Sequence, residues 1–406
     1  MRLRIGPALA AATLALAACR SPTPFRPPTV VLEPADTVRI ESPVGSDCNR
    51  PSWWVGDTLF QMVSNQHPWR SRGGRDAATA QDFTPARFTD DDPAFGWDAG
   101  RRWYVRDVND PVAPTRTRMR WIESVYRRPA DGVLFGLYHH EEGPYVRCPP
   151  PDERPYLSVP HVGLARSTDN GMTWQDLGLV VSDGSFPVTC DAPVRFFTGG
   201  VGDPSMAVGP DSAHAYIAFT DYSGEDPRTQ GIQLARIALA DLDRPLAPDG
   251  TSRARRWWRG GWTGPGLQGT PGLSLGQSWP AGPIGQATPL LPPERSWQRP
   301  DGGGFWGPSL SWNTHAGAFL LLLNKVDDAR RFGADGNWLA WIPDAARPAV
   351  TPPLRLDRLP HAPPAGWYVQ AMGDPRMRGT SALTGEDARL FVGDRSVARL
   401  RLRPAP

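Results

Sequence analysis

The sequence lacks a strong net charge. Its 406 residues carry 44 Lys and Arg side chains against 42 Asp and Glu side chains, so the formal charge is +2. Two of the positive charges, Arg2 and Arg4, fall in a predicted export signal, and the remainder is formally neutral. Binding to nucleic acid phosphates requires a basic surface. The composition therefore predicts no nucleic-acid partner.

The N-terminus lacks an apolar run long enough to span a bilayer, which needs about 20 residues. The Ala/Leu-rich stretch from Pro7 to Ala18 is shorter and follows two arginines, as in a signal peptide. Its end, Leu16-Ala17-Ala18-Cys19, resembles a bacterial lipobox. This resemblance predicts that residues 1–19 are a lipoprotein signal and that Cys19 becomes the acylated first residue. An ordinary cleaved signal peptide is the alternative.

The predicted lipid anchor places the exported protein in the cell envelope, attached to a membrane through Cys19. Arg20 after the cysteine favours the outer membrane if the cell has two. Residues 20–45 begin with a proline-rich tether. They also contain a strand candidate, Val30 to Ile40, that could close a ring of sheets. Residues 46–406 are expected to form a single domain.

Cysteine is scarce, with four in the chain. Once Cys19 is assigned to lipidation, Cys48, Cys148 and Cys190 remain. In an oxidising compartment three cysteines allow one disulfide and leave one thiol. The sequence does not decide which two would pair.

Helical periodicity is almost absent, because no long stretch keeps apolar residues at positions i, i+3, i+4 and i+7. Glycine (42) and proline (46) are abundant, yet the 17 tryptophans and 14 phenylalanines argue against disorder. These features predict a loop-rich, all-β protein.

Four segments of the chain repeat one pattern, in which a serine just inside a strand is followed by a turn and a second apolar strand. They begin near Asn49, Trp121, Gly199 and Trp306, and a weaker fifth begins at Gly366. Irregular spacing between them fits four-stranded units with loop insertions. One such insertion is expected to begin at His67. The sequence therefore predicts a five-bladed β-propeller with long loop insertions, as a monomer.

In a propeller the first strand of each blade lines the central channel, so the openings of the repeats converge on one site. Carboxylates that face one cavity with aromatic walls could cleave glycosidic bonds, which requires an acid and a base or nucleophile. The candidate catalytic residues are Glu123, Asp203, Asp47 and Asp191, and the candidate substrate-binding residues are Asn49, Arg50, His139, Trp306 and Gln370.

The repeats, and above all GDPSMAVGPDSAHAYIAFTDY in the third, resemble the five-bladed propeller glycoside hydrolases of the arabinanase, xylosidase and invertase type. The resemblance implies a catalytic Asp in blade one, an Asp in blade three that tunes pKa values, and a Glu acid opening a later blade. Asp203 matches the second residue well and Asp47 matches the first loosely. Trp306 stands where those enzymes carry the Glu, so we expect Glu123 to supply the acid from another blade.

Ser167 to Trp174 reads STDNGMTW, which resembles the Asp-box of sialidase-like propellers at every defined position. Asp and Gly suit the tight turn of a hairpin, and the Trp would pack beneath it. The resemblance implies a structural role for Asp169 on an outer hairpin. Sialidase activity itself is not predicted, because only Arg50 and Arg376 are placed to contribute to an arginine cluster.

Two functional hypotheses follow. The first is a surface-anchored, carbohydrate-active propeller of glycoside-hydrolase type that acts on a glycan in the central funnel. The alternative is a non-catalytic propeller lipoprotein that binds a glycan or a protein, and a structural envelope protein is a third reading. No cofactor and no metal ligands are predicted, although a structural cation such as calcium in the channel is left open. Asp203, Asp47 and Asp191 could instead hold strand ends or turns.

Overall fold

A computed structural model describes residues 24–65, 67–90, 118–142, 158–183, 194–197, 199–268 and 285–404. Among these residues strands dominate, and the helical elements are three short 3-10 turns, Pro227–Thr229, Leu239–Asp241 and Pro375–Met377. Within these ranges no helix has the length and apolar character needed to cross a membrane. The predicted signal peptide with Cys19, and also Cys148, Cys190 and Asp191, lie outside the described residues.

The strands form five sheets, which are the blades of a β-propeller. The chain begins with β1 (Thr29–Arg39), which belongs to blade five. Blade one follows, with strands paired in chain order: β2 (Ser52–Val55), β3 (Thr58–Asn65), β4 (His67–Arg70) and β5 (Thr84–Pro85).

Blade two has its own four antiparallel strands and two short parallel additions on the outermost strand. The short β6 (Arg87–Phe88) pairs with that outermost strand. The four main strands are β7 (Arg118–Arg127), β8 (Leu134–Glu142), β9 (Pro160–Ser167) and β10 (Thr173–Asp183).

Blade three is a five-stranded antiparallel sheet in chain order. Its strands are β11 (Val201–Val208), β12 (His214–Asp221), β13 (Gly231–Ala238), β14 (Arg255–Trp258) and β15 (Gly261–Pro265). After it, β16 (Leu267–Gln268) returns to pair with β10, which links blades two and three.

Blades four and five complete the ring. Blade four contains β17 (Gly304–Asn313), β18 (Ala318–Val326), β19 (Gly336–Ile342) and β20 (Leu354–Arg355), and β22 (Leu383–Thr384) adds to β17. Blade five contains β21 (Val369–Gly373), β23 (Asp387–Val392) and β24 (Arg395–Arg403). Strand β1 pairs with β24, so the first and last described strands share one sheet.

Three buried serines join neighbouring blades: Ser64 on β3 of blade one, and Ser124 and Ser205, which are two of the repeated serines. In each case a serine hydroxyl accepts the backbone N–H of a residue on the next blade's inner strand, and it can donate to the same residue's carbonyl oxygen. The N–H to Oγ distances are 3.1 Å for Ile122 to Ser64, 2.9 Å for Met206 to Ser124 and 2.8 Å for Leu310 to Ser205. Buried backbone groups that no sheet could pair are thereby satisfied.

The segment predicted as an Asp-box forms a compact hairpin turn between β9 and β10. The carboxylate of Asp169 accepts the backbone N–H groups of Met172 and Thr173 at 3.1 and 2.9 Å. The Trp174 ring is fully buried and its Nε1–H donates to the Gly171 carbonyl. These bonds give Asp169 a structural role in the turn.

The predicted loop insertion beginning at His67 is wrong at its start. Residues His67–Arg70 form β4 and pair with β3 from Met62 to Asn65. The polar and proline-containing sequence His-Pro-Trp-Arg obscured a short outer strand, because its neighbours and not its own alternation hold it in the sheet.

Candidate functional site

The site centres on two carboxylates from neighbouring blades, Glu123 on β7 and Asp203 on β11, here called the acid pair. Both side chains are buried, with exposed fractions of 2% and 3%. Each lies where the strand pairing is irregular, between Ile122 and Ser124 for the first and between Gly202 and Ser205 for the second. Such irregularities re-aim a side chain.

His139 on β8 connects the two carboxylates. One donor atom from each of Glu123, His139 and Asp203 lies within 4.8 Å of those of the other two. The His139 Nδ1 accepts the Asp203 backbone N–H at 3.1 Å, so the neutral ring carries its proton on Nε2. That nitrogen donates to Glu141 Oε1 at 3.2 Å. Nδ1 also lies 3.6 Å from Glu123 Oε1.

Two tyrosines hold the Asp203 carboxylate. The Tyr222 hydroxyl donates to Oδ2 at 2.9 Å, and the Tyr368 hydroxyl lies 3.5 Å from Oδ1. Asp203 and Tyr368 both have left-handed backbones, with φ of 53° and 56°. Non-glycine residues adopt this conformation at a cost, which the surrounding contacts must offset.

The surroundings favour the protonated form of Glu123 more strongly than that of Asp203. Burial raises the pKa of Glu123 well above its usual value, and the charges of Asp203 and Asp47 add to this, while the Asn49 backbone N–H opposes it. Burial also raises the pKa of Asp203, but His139 and the Tyr222 and Tyr368 hydroxyls favour its ionised form. Glu123 is therefore the carboxyl group of the pair that is more readily protonated.

Two further ionisable groups respond to the acid pair. Burial and the charges of Glu141 and Asp203 raise the pKa of Asp47 to about 7, partly offset by His139. For His139, burial lowers the pKa, but the hydrogen bond and charge of Glu141 outweigh burial and raise it. Asp47 is only half-buried, so it faces solvent more than the acid pair does.

Aromatic rings line one side of the acid pair. Trp306 is buried and contacts Tyr368 and Trp367, with ring centroids 5.5 and 5.6 Å apart. Trp367 is partly exposed and meets Phe196 and Phe332 edge-on. On the other side, Trp121 packs edge-on against His139 at 5.4 Å.

The structure brings most predicted site residues together, but not Arg50. Its guanidinium group bonds the Gly393 carbonyl and Asp394 and stacks over Phe391, all in blade five. Gln370 accepts the Arg50 backbone N–H at 3.1 Å, so this glutamine also serves the contact between blades one and five.

Asn49 remains beside the acid pair. Its backbone N–H reaches Glu123, and its side-chain Nδ2 donates to the Pro308 carbonyl at 3.0 Å. Asp191 lies outside the described residues. Cys48 is a buried residue whose thiol lies 3.6 Å from the Ser64 carbonyl oxygen.

Sequence reasoning missed Tyr222, Tyr368, Glu141 and Trp367. Glu141 could have been found, because residues two apart on a strand face the same side and His139 was already a candidate. Tyr222 stands at the end of the second strand of the third repeat, and Tyr368 stands in the segment from Gly366 that was read as an inner strand, but nothing in the sequence singled out either side chain.

Within the described ranges, one group of side chains could hold a metal ion, and it consists of Glu123, His139 and Asp203. Sequence analysis named no metal ligands here. One imidazole nitrogen with two carboxylates suits Zn²⁺ or Mn²⁺ better than calcium, which prefers oxygen ligands throughout. Calcium, which the sequence only left open as a structural cation in the channel, is the less suitable ion for this donor set.

No family model and no curated protein matches the sequence. Among solved structures the chain is similar to an exo-β-1,3-galactanase from Phanerochaete chrysosporium, with 10% identity and a TM-score of 0.42 over 92% of this chain. The chain spans 65% of that protein's length.

Two other solved structures resemble the chain along nearly their whole length. The catalytic domain of a Coprinopsis cinerea GH62 α-L-arabinofuranosidase has 9% identity and a TM-score of 0.40, covering 93% of this chain and 97% of its own. A Cellvibrio cellulosa α-L-arabinanase has 11% identity and a TM-score of 0.39, covering 90% and 91%. The five-bladed fold follows from this chain's own strand pairing, and these likenesses carry no argument about its reaction.

Proposed function

We propose that the protein is a carbohydrate-active propeller that hydrolyses a glycosidic bond at the acid pair. The observation that carries this proposal is that two carboxylates from different blades, Glu123 and Asp203, lie with oxygens within 4.8 Å of each other. Glycoside hydrolysis needs two carboxyl groups, one protonated and one ionised, on either side of the bond.

The two acids have different roles in this proposal. Glu123 keeps its proton and donates it to the leaving oxygen, because burial and neighbouring negative charge favour its neutral form. Asp203 is the ionised partner that faces the sugar carbon, because the hydroxyls of Tyr222 and Tyr368 favour its charged form against the burial that raises its pKa. The half-buried Asp47 contributes negative charge that keeps the Glu123 proton in place.

The short spacing favours a retaining reaction. Retaining enzymes hold their carboxyl groups about 5 to 5.5 Å apart, and inverting enzymes about 6.5 to 9.5 Å, which leaves room for a water. In the retaining course Asp203 attacks the anomeric carbon while Glu123 protonates the departing oxygen. Water then releases the sugar, and Glu123 takes the proton from that water.

The experiment is a hydrolysis screen of the purified protein against nitrophenyl glycosides and plant and bacterial polysaccharides. Glu123→Gln and Asp203→Asn should each lower the rate by about 10² to 10⁴-fold. Asp57→Asn is the control, because Asp57 is a fully exposed turn residue. Unchanged hydrolysis in both site variants would refute the assignment of the two acids.

A non-catalytic glycan-binding propeller is the second candidate, and one observation favours it. Trp306 is a buried ring at the position where the family resemblance would place the acid. The same screen separates the two functions, since a binding protein retains glycans without releasing product. Anchoring in the cell envelope through Cys19 is also proposed, and loss of membrane association and of acyl labelling in Cys19→Ala tests it.

A further inference from the structure

Within the ranges that the structure describes, four buried polar atoms around the acid pair have no hydrogen-bond partner. They are Asn49 Oδ1, Trp121 Nε1, Glu123 Oε2 and Trp306 Nε1. The exposed fractions of these four residues are between 1% and 5%. A buried polar atom without a partner costs about 1 to 3 kcal/mol, so native proteins keep few of them. Several around one site point to a ligand that would satisfy them.

Each of the four residues is tied to the acid pair. Asn49 donates its backbone N–H to Glu123, which is itself one of the four. Trp121 packs against His139, whose ring contacts both acids. Trp306 packs against Tyr368, whose hydroxyl reaches Asp203.

The chemistry of the four atoms defines the ligand. The two indole N–H groups can only donate, and the amide oxygen of Asn49 can only accept. A metal cation would leave both indole N–H groups without an acceptor. An anion would leave the oxygens of Asn49 and Glu123 without a donor. A hydroxyl group both donates and accepts, so several hydroxyls on one molecule satisfy all four atoms.

The partly exposed Trp367 adds an apolar contact for the same ligand. It lies 5.6 Å from Trp306 between ring centroids and is supported edge-on by Phe196 and Phe332. A sugar ring carries hydroxyls at its rim and C–H groups on its faces, and those faces pack on aromatic rings. A metal ion or a small anion has no such face.

We propose that the acid pair binds a neutral sugar ring whose hydroxyls bond to Asn49, Trp121, Glu123 and Trp306 and whose face packs on Trp367. This inference rests on the proposed function, because it names the substrate class of that site. It makes Trp121 and Trp367 new specificity residues. It also assigns the site to a hydroxyl-rich ligand in preference to a divalent cation.

The test measures binding by isothermal titration in full-length Asp203→Asn, in which turnover is suppressed. Methyl glycosides of arabinose, xylose, galactose and glucose are titrated, with ZnCl₂ in a parallel arm. Trp121→Phe and Trp306→Phe each remove an indole N–H and keep an aromatic ring. Each should raise the Kd for the bound sugar about 5- to 10-fold.

Trp54→Phe is the matched control. Trp54 lies on β2 of blade one, and its Nε1–H already donates to the Gly379 carbonyl at 3.1 Å, so the Kd should not change. If a Phe variant is unstable, binding is instead followed by NMR in the protein that keeps all its tryptophans. The indole ¹⁵N–H resonances of Trp121 and Trp306 should shift when the sugar is added, and that of Trp54 should not.

The inference is overturned if no sugar binds while Zn²⁺ does, or if neither indole resonance responds to a sugar that binds. Its failure differs from failure of the proposed function. Sugar binding that depends on both tryptophans without any hydrolysis leaves the inference standing and removes the reaction. Hydrolysis with a KM unchanged in both Phe variants removes the inference and leaves the reaction.

Discussion

Two pairs of buried carboxylates lie in neighbouring parts of the ring, and they are built differently. One is the acid pair, Glu123 and Asp203. The other belongs to what we call the arginine network, Asp183, Asp221 and Arg256, where β10 of blade two meets blade three. All five side chains are at most 3% exposed. In both pairs burial raises the pKa of the carboxyl groups.

The arginine network neutralises its acids internally. Arg256 Nη1 bonds Asp221 Oδ2 and Gln233 Oε1 at 3.1 Å each, and Nη2 bonds the Ser182 carbonyl at 2.8 Å. The two carboxyl groups also hydrogen-bond each other. A buried charge is tolerated when it is paired and bonded in this way.

The acid pair has no such partner. Within the described residues, His139 is the only basic side chain in ion-pair distance of either carboxylate. Its other neighbours, Asp47 and Glu141, are acidic and raise the pKa of Glu123 further. The arginine network therefore stabilises the fold. The acid pair lowers stability, because its carboxyl groups are buried without a full counter-charge, and perturbed acids of this kind are typical of functional sites.

The largest expected effect is on the arginine network. Arg256→Met leaves two buried acids without their counter-ion and should lower the free energy of unfolding by about 3 to 5 kcal/mol. Urea denaturation measures it. The control is Arg236→Met on the adjacent strand β13, where the arginine is partly exposed and stacks over Trp262, with an expected loss of about 1 kcal/mol or less. Equal losses would remove the contrast between the two pairs.

Next is the close approach that positions His139. A Cβ on Gly202 would lie 2.7 Å from His139 Cε1 and 2.9 Å from Nδ1. Gly202→Ala should therefore displace the imidazole and lower the free energy of unfolding by about 1 to 3 kcal/mol. Gly261→Ala is matched, since its nearest contact is an ordinary 3.5 Å. A stable Gly202→Ala with unchanged hydrolysis would contradict the bridging role of His139.

The acid cluster should also make stability depend on pH. The pKa of Asp47 is about 7 in the folded protein against an ordinary 3.8, so the folded state binds this proton more tightly. The protonated group stabilises the fold at low pH, and this contribution is lost as pH rises through about 7. Between pH 5 and pH 9 the wild type should lose about 1 to 2 kcal/mol more than Asp47→Asn.

Chemical denaturation at several pH values in that interval measures this difference. The variant should show the flatter profile, and its gain in stability over the wild type should grow as the pH rises towards about 7 and stay constant above it. Parallel profiles for the two proteins would show that Asp47 titrates alike in the folded and unfolded chain. The negative charge around the acid pair would then be weaker than the contrast requires.

The smallest expected effect concerns the hydrogen bond from Tyr222 to Asp203. Tyr222→Phe removes a donor that favours the ionised carboxylate, so the pKa of Asp203 should rise. The acidic limb of the hydrolysis pH profile should move to higher pH. Tyr138→Phe, which removes the 2.7 Å bond to Asp176, should leave that limb in place.

Much of the fold could be predicted from sequence because its signals are local. The strand at Ser52 to Val55, the Gly56-Asp57 turn and the strand from Thr58 were read correctly from alternation and turn residues. The five-bladed ring followed from the repeated pattern. The short outer strand at His67–Arg70 was missed, because its neighbours hold it in place.

The site was predictable only in part. Convergence of the inner strands placed Glu123 and Asp203 at one end of the channel, where the structure also has them, but His139 joins them from β8, the second strand of blade two. It could not place Arg50, whose guanidinium bonds blade five. The strand irregularities at Glu123 and Asp203 could not be predicted from the repeats either. They matter because a shift of one residue turns a side chain to the opposite face of a sheet.

The sequence by itself determined the strands, their turns and the serines that later join the blades, since these depend on residues close together in the chain. Only the tertiary structure decided which side chains meet. Tyr222 and Tyr368 stand 146 positions apart in the sequence, yet both hydroxyls reach Asp203. Contacts of this kind depend on how the ring closes, and no local pattern records that.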